Sequence, residues 1–79
     1  MPKLKILSGN EIVKIFLSLG FEIVNQKGSH IKLRRLTNNL KETLIIPNHQ
    51  QVDTGTTRAI IRQASKYISI ELLQKHFYA

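Results

Sequence analysis

His30, Lys32 and Arg34 recur at every second position, and each carries acid–base or cationic chemistry. In an extended stretch this spacing puts all three on one face, with Ile31 and Leu33 on the other. An imidazole titrates near neutrality, and fixed cations beside it suit work on a phosphate. The ring moves a proton while its neighbours offset charge at the phosphorus. A lone histidine is more often structural than catalytic, but the position of His30 argues for chemistry. It follows Gly28-Ser29, a turn-forming pair that delivers it to the first position of a strand, and Gly28 lets a phosphate or a backbone come close.

The remaining reactive inventory narrows the chemistry. The chain has no cysteine, which excludes disulfides, thiolate catalysis and zinc sites with Cys ligands. Its five acids, Glu11, Glu22, Glu42, Asp53 and Glu71, are scattered, whereas a two-metal nuclease needs clustered carboxylates. His30, His49 and His76 lack ligand spacing, and Ser29 has no acid placed to orient the adjacent ring as in a nucleophilic triad. The expectation is catalysis with no metal and no cofactor. His49, in the loop after Pro47, is the candidate second acid/base.

Twelve Lys/Arg against five Asp/Glu give a net charge of +7 on 79 residues, a balance that points to a polyanion partner. Nucleic acid, an anionic membrane surface and an acidic protein all fit it. Arg58, Arg62 and Lys66 recur every four residues and would form one stripe on a helix. Such a stripe is usually a solvated face, but no acid lies between Arg58 and Lys66 to compensate it. The helix start near Thr56 would add a partial positive charge and free amides. The candidate phosphate-binding set is Lys27, Gly28, Ser29, Lys32, Arg34, Arg58, Arg62 and Lys66.

The elements that must hold these side chains are legible from periodicity. Ser8-Gly9-Asn10-Glu11 reads as a capping box, followed by Ile12, Ile15, Phe16 and Leu19 at helical spacing and by Gly20 as a stop. This predicts a helix over about residues 9–19. Strands are expected over Phe21 to Gln26, His30 to Leu36 and Lys41 to Ile46, with turns at Lys27-Gly28-Ser29 and Thr37-Asn38-Asn39. Pro47 closes the third strand. Asp53-Thr54-Gly55 reads as a further turn before a helix carrying Ile60, Ile61 and Ala64. Over Ser65 to Ser69 that helix either continues or breaks, and the favoured reading is a break before a short last helix through Glu71, Leu72, Leu73 and Phe77, capped by Ser69. The order predicts one α+β domain over residues 1–79, a three-stranded antiparallel meander with the helices on one face and the His30 face open. No apolar run approaches the length of a membrane span, and the charged Met1 to Lys5 stretch has no leader-like apolar run behind it, so a soluble cytoplasmic protein is expected.

Several short motifs, taken in order, resemble the HicA (YcfA-like) mRNA interferase toxins. They are Ser8-Gly9 with Glu11, Gly20-Phe21, Gln26-Lys27-Gly28-Ser29-His30, Ile46-Pro47-Asn48-His49, and Gly55-Thr56-Thr57-Arg58 running to Gln63-Ala64. The resemblance spans residues 7–73. It implies a double-stranded-RNA-binding-domain-like fold, translation-blocking cleavage of mRNA, and a HicB-like antitoxin covering the His30 face. It also implies that His30, the histidine of Gly-Ser-His, is catalytic. Family members commonly carry Gly after Gln-Ala, where this chain has Ser65 to Ser69 instead. The leading expectation is therefore a metal-independent endoribonuclease toxin of a type II toxin–antitoxin system. A non-catalytic RNA-binding module of the same fold, and a module whose basic face docks an acidic protein, are the rivals.

Overall fold

The computed structural model describes residues 2–79, so Met1 of the charged N-terminal stretch lies outside it. Ser8 opens α1 (Gly9–Ser18) with the capping box in full. Its hydroxyl accepts from the Glu11 amide at 3.1 Å, and Glu11 Oε1 accepts from the Ser8 amide at 2.8 Å. Leu19 is the C-cap, and Gly20 follows at φ +97°, a left-handed conformation that favours glycine.

The chain then runs through β1 (Glu22–Lys27), β2 (His30–Thr37) and β3 (Leu40–Pro47), an antiparallel meander in that spatial order. Both turns are tight two-residue connections. Gly28 supplies φ +60° in the first, and Asn38 and Asn39 have φ of 51° and 67° in the second, the signature of a type I′ hairpin. β1 starts one residue later than the alternation suggested and includes Lys27. Val24 is an extra residue opposite Lys32, a bulge the alternation did not show.

Two further helices complete the fold, α2 (Thr54–Ala64) and α3 (Ile70–Phe77). Asp53-Thr54-Gly55 is the N-cap and first turn of α2 and not a separate turn before it. Lys66 lies outside α2, which ends at Ala64, so the expected three-residue stripe reduces to Arg58 and Arg62 on the helix. The break has a packing reason. Continued at about 100° per residue, α2 would swing Leu73 and Phe77 to the side opposite Ile60, Ile61 and Ala64. The Ala64 carbonyl instead accepts from both Tyr67 and Ile68 at 2.9 Å, and Ser69 caps a new helix through the Leu72 amide. Leu73 and Phe77 are thereby fully buried.

One core lies between the sheet and the helices. Ile12, Val13 and Phe16 of α1, Ile31 and Leu33 of β2, Leu44 and Ile46 of β3, and Ile60, Ile61 and Ala64 of α2 all bury there. Each such aliphatic or aromatic side chain contributes about 1.5–3 kcal/mol relative to exposure. Phe16 packs edge-on to Phe21 at 5.6 Å and against Phe77 at 5.8 Å between ring centroids. The helix-covered face, the open face and the added last helix match the α+β, double-stranded-RNA-binding-domain-like architecture.

Candidate nucleic-acid interface

The strand pairing builds the open face row by row. His30 sits between Lys27 on β1 and Pro47 on β3, Lys32 between Asn25 and Ile45, and Arg34 between Glu22 and Thr43. His30, Lys32 and Arg34 are all exposed, while Ile31 and Leu33 between them are buried. Leu36 is the next residue of this parity, 65% exposed and apolar, so the basic row has three members.

The end of the sheet that carries His30 is made from four segments distant in sequence. The Asn48 amide donates to the Ser29 carbonyl, tying the β1–β2 turn to the loop after β3. The Gly9 amide donates to the His49 carbonyl at 2.8 Å, and the Val52 amide to the Leu7 carbonyl at 2.9 Å. The start of α1 is thus fastened to the same loop. That loop leads directly into α2 through Asp53, whose side chain makes no cap bond, so the start of α2 is reached from this end as well. The partial positive end of a helix macrodipole adds to the local cationic field there. His49 is exposed, two residues beyond the partner of His30.

Gly28 is open as well as left-handed, for nothing lies within 4 Å of where a Cβ would be. Lys27 and Ser29 flank it, both exposed. Arg58 and Arg62 are exposed too, but they belong to the helical layer. The residues α2 turns inward are Thr57, Ile60, Ile61 and Ala64, and Arg62 falls across the helix from them. The structure therefore separates the basic candidates into an open-face group with His30 and an outer helical group on the other side of the sheet. Lys66 is exposed in the turn after α2. No group of three His, Asp or Glu side chains gathers among the described residues.

Arg35 was not singled out by its sequence position and is the most connected polar side chain in the fold. It shares the parity of Ile31 and Leu33, so its guanidinium reaches the helix side. Nε pairs with Glu42 Oε1 at 2.6 Å, Nη1 donates to the Leu19 carbonyl at 2.8 Å, and Nη2 to the Tyr67 carbonyl at 3.4 Å. The group also lies 4.8 Å from the centroid of the Phe21 ring. It supplies the cation that the C-terminal turn of α1 lacks in its own sequence. The available signal was an inward-parity arginine directly opposite Glu42.

A three-stranded sheet with helices on one face and a basic row on the other defines a small α+β domain with a basic open sheet face. The family model described as the HicA toxin of bacterial toxin–antitoxin matches residues 9–65, more than half of the chain, and the chain belongs to that family. It is a toxin of a toxin–antitoxin system, and its partner is a cognate antitoxin. No curated protein and no solved structure matches the chain. No helix of the described residues is long and apolar enough to cross a membrane.

Proposed function

We propose that this toxin is a metal-independent endoribonuclease that cleaves mRNA and so blocks translation, with His30 as general acid/base. The observation that carries the proposal is the open-face row, an exposed imidazole at a turn edge followed by Lys32 and Arg34 on the same face. The substrate's own 2′-hydroxyl attacks the adjacent phosphorus, its proton passing to one imidazole. The bond from phosphorus to the 5′-oxygen breaks, and that oxygen takes a proton from a second group. His49, in the loop beside His30, is the proposed second group. Lys27, Lys32 and Arg34 offset charge on the transition state, with the Gly28 and Ser29 backbone beside the reacting phosphate. Arg58, Arg62 and Lys66 hold phosphates remote from the cleaved bond. The antitoxin is an acidic, HicB-like protein that covers the His30 face.

The test is direct. His30→Ala should abolish growth arrest on expression while leaving the folded circular-dichroism spectrum and unfolding midpoint unchanged. RNA with deoxyribose at the cleaved position should resist the wild-type protein, because the attacking hydroxyl is gone. Persistent toxicity of the folded variant would remove His30 from the reaction. Equal cleavage of the deoxy-substituted RNA would remove 2′-hydroxyl attack.

A further inference from the structure

We propose that the substrate is a single RNA strand lying along β2, with the reacting phosphate at His30 and the next two phosphates on one side of it seated at Lys32 and Arg34. This rests on the nuclease reading and adds a register and a polarity to it. The first support is spacing. Side chains two residues apart on a strand are about 6–7 Å apart, comparable with consecutive phosphates in an extended single strand. His30, Lys32 and Arg34 are three positions separated by two such steps on one exposed face, so His30 meets the reacting phosphate and one cation meets each of the next two.

The second support is how the row ends. His30 is the first residue of β2, and beyond it lies the two-residue turn Gly28–Ser29. At the other end Leu36 is apolar, Lys41 stands beside it on β3 and Glu22 across β1 from Arg34, so a further phosphate meets no cation on β2 itself and a mixed pair of charges to either side. The row therefore extends from the reacting phosphate in one direction only.

The third support is what the face lacks. None of the three strands contains Phe, Tyr or Trp. Phe16, Phe21 and Phe77 are buried, and Tyr67 and Tyr78 pack partly buried against the core. The common way for a sheet to hold single-stranded RNA, bases stacked on a platform of exposed Phe, Tyr or Trp rings, is absent from this surface, and its one ring, His30, is engaged at the phosphate. Contact is therefore through the backbone, and affinity follows salt more than base identity. Two phosphates neutralised by Lys32 and Arg34 on a single strand give a slope of log K against log salt of about −1.4.

The experiment is a neutral-backbone scan. A short RNA is made uncleavable by one deoxyribose and carries a single methylphosphonate, placed in turn at each phosphate on either side of that site. Binding is measured by fluorescence anisotropy for wild type, Lys32→Ala and Arg34→Ala. For wild type, neutralising the first and second phosphates on one side should each weaken binding about tenfold, and the matching positions on the other side much less. The first penalty should vanish in Lys32→Ala and the second in Arg34→Ala. Glu22→Gln should tighten binding of the all-phosphate RNA. Penalties equal on both sides, or penalties that persist in both variants, would overturn the register while leaving a nuclease that cleaves. An RNA that is neither bound nor cut would overturn the nuclease reading and the register together.

Discussion

Gly9 and Asn48 meet backbone to backbone. A Cβ on Gly9 would stand 2.9 Å from the Asn48 Cα and closer still to the Pro47 carbonyl oxygen. Helix propensity alone favours alanine over glycine by about 1 kcal/mol. Here the clash dominates, since its nearest atoms are main chain and cannot rotate away. Gly9→Ala is expected to destabilise the fold by about 2 kcal/mol net, read as a lower urea midpoint. A midpoint raised by the substitution would show that the loop gives way easily.

Arg35 ties four segments together, so its loss should be felt well beyond one ion pair. Arg35→Ala leaves Glu42, mostly buried, without its partner and the Leu19 carbonyl without its donor. With the guanidinium partly exposed, a cost of about 2–3 kcal/mol is expected in chemical denaturation. Arg35→Lys should recover only part of it, because an ammonium cannot hold the carboxylate, two carbonyls and the Phe21 ring at once.

Thr57 is 1% exposed, and its hydroxyl has no hydrogen-bond partner among the described residues. Thr57→Val keeps the shape and removes the unpaired group, at nearly equal helix propensity. The variant should be more stable by about 1 kcal/mol, visible as a raised thermal midpoint. A lowered midpoint would mean that the hydroxyl has a bonding role in solution.

The Glu11 carboxyl is held below its ordinary value of 4.5, chiefly by the Ser8 backbone amide and then by the Ser8 hydroxyl, with a slight opposing effect of burial and a further lowering from Lys14. A folded-state value below the unfolded one means that the contribution is fully present above the unfolded value. It is lost as pH falls through the folded one. The stability advantage of wild type over Glu11→Gln should therefore be constant near neutrality and shrink as the solution is acidified below about pH 4.5. An advantage that grows on acidification would have the wrong sign for this cap.

Much of the fold was legible because its signals are local and agree with one another. The capping box at Ser8 and Glu11, the alternation through His30 to Arg34, and the turn residues Asn38 and Asn39 each specify their element from neighbours in the chain. The break before α3 was legible through Ser69. Lys66 was misplaced because four-residue spacing continues across a helix end that only the burial of Leu73 and Phe77 requires. The close approach at Gly9 was not legible, since it is a property of two segments almost forty residues apart. Helical spacing did place Arg62 away from Ile60, Ile61 and Ala64, and so on the outer side of the helical layer. The basic row itself was legible residue by residue, while the bond from Asn48 to Ser29 that braces its turn was not.

The strict alternation along β2 has a consequence for folding fidelity. A slip of one residue against β1 or β3 would drive His30, Lys32 and Arg34 into the apolar layer and bring Ile31 and Leu33 to solvent, so mispairing carries a large penalty. The same polar row on the open face thus also guards the chain against a wrong alignment. A disarmed toxin is best made with small polar replacements at these positions. Bulky apolar ones, unlike alanine, would make the two faces of the strand alike, and the loss of activity would come with misfolding and aggregation.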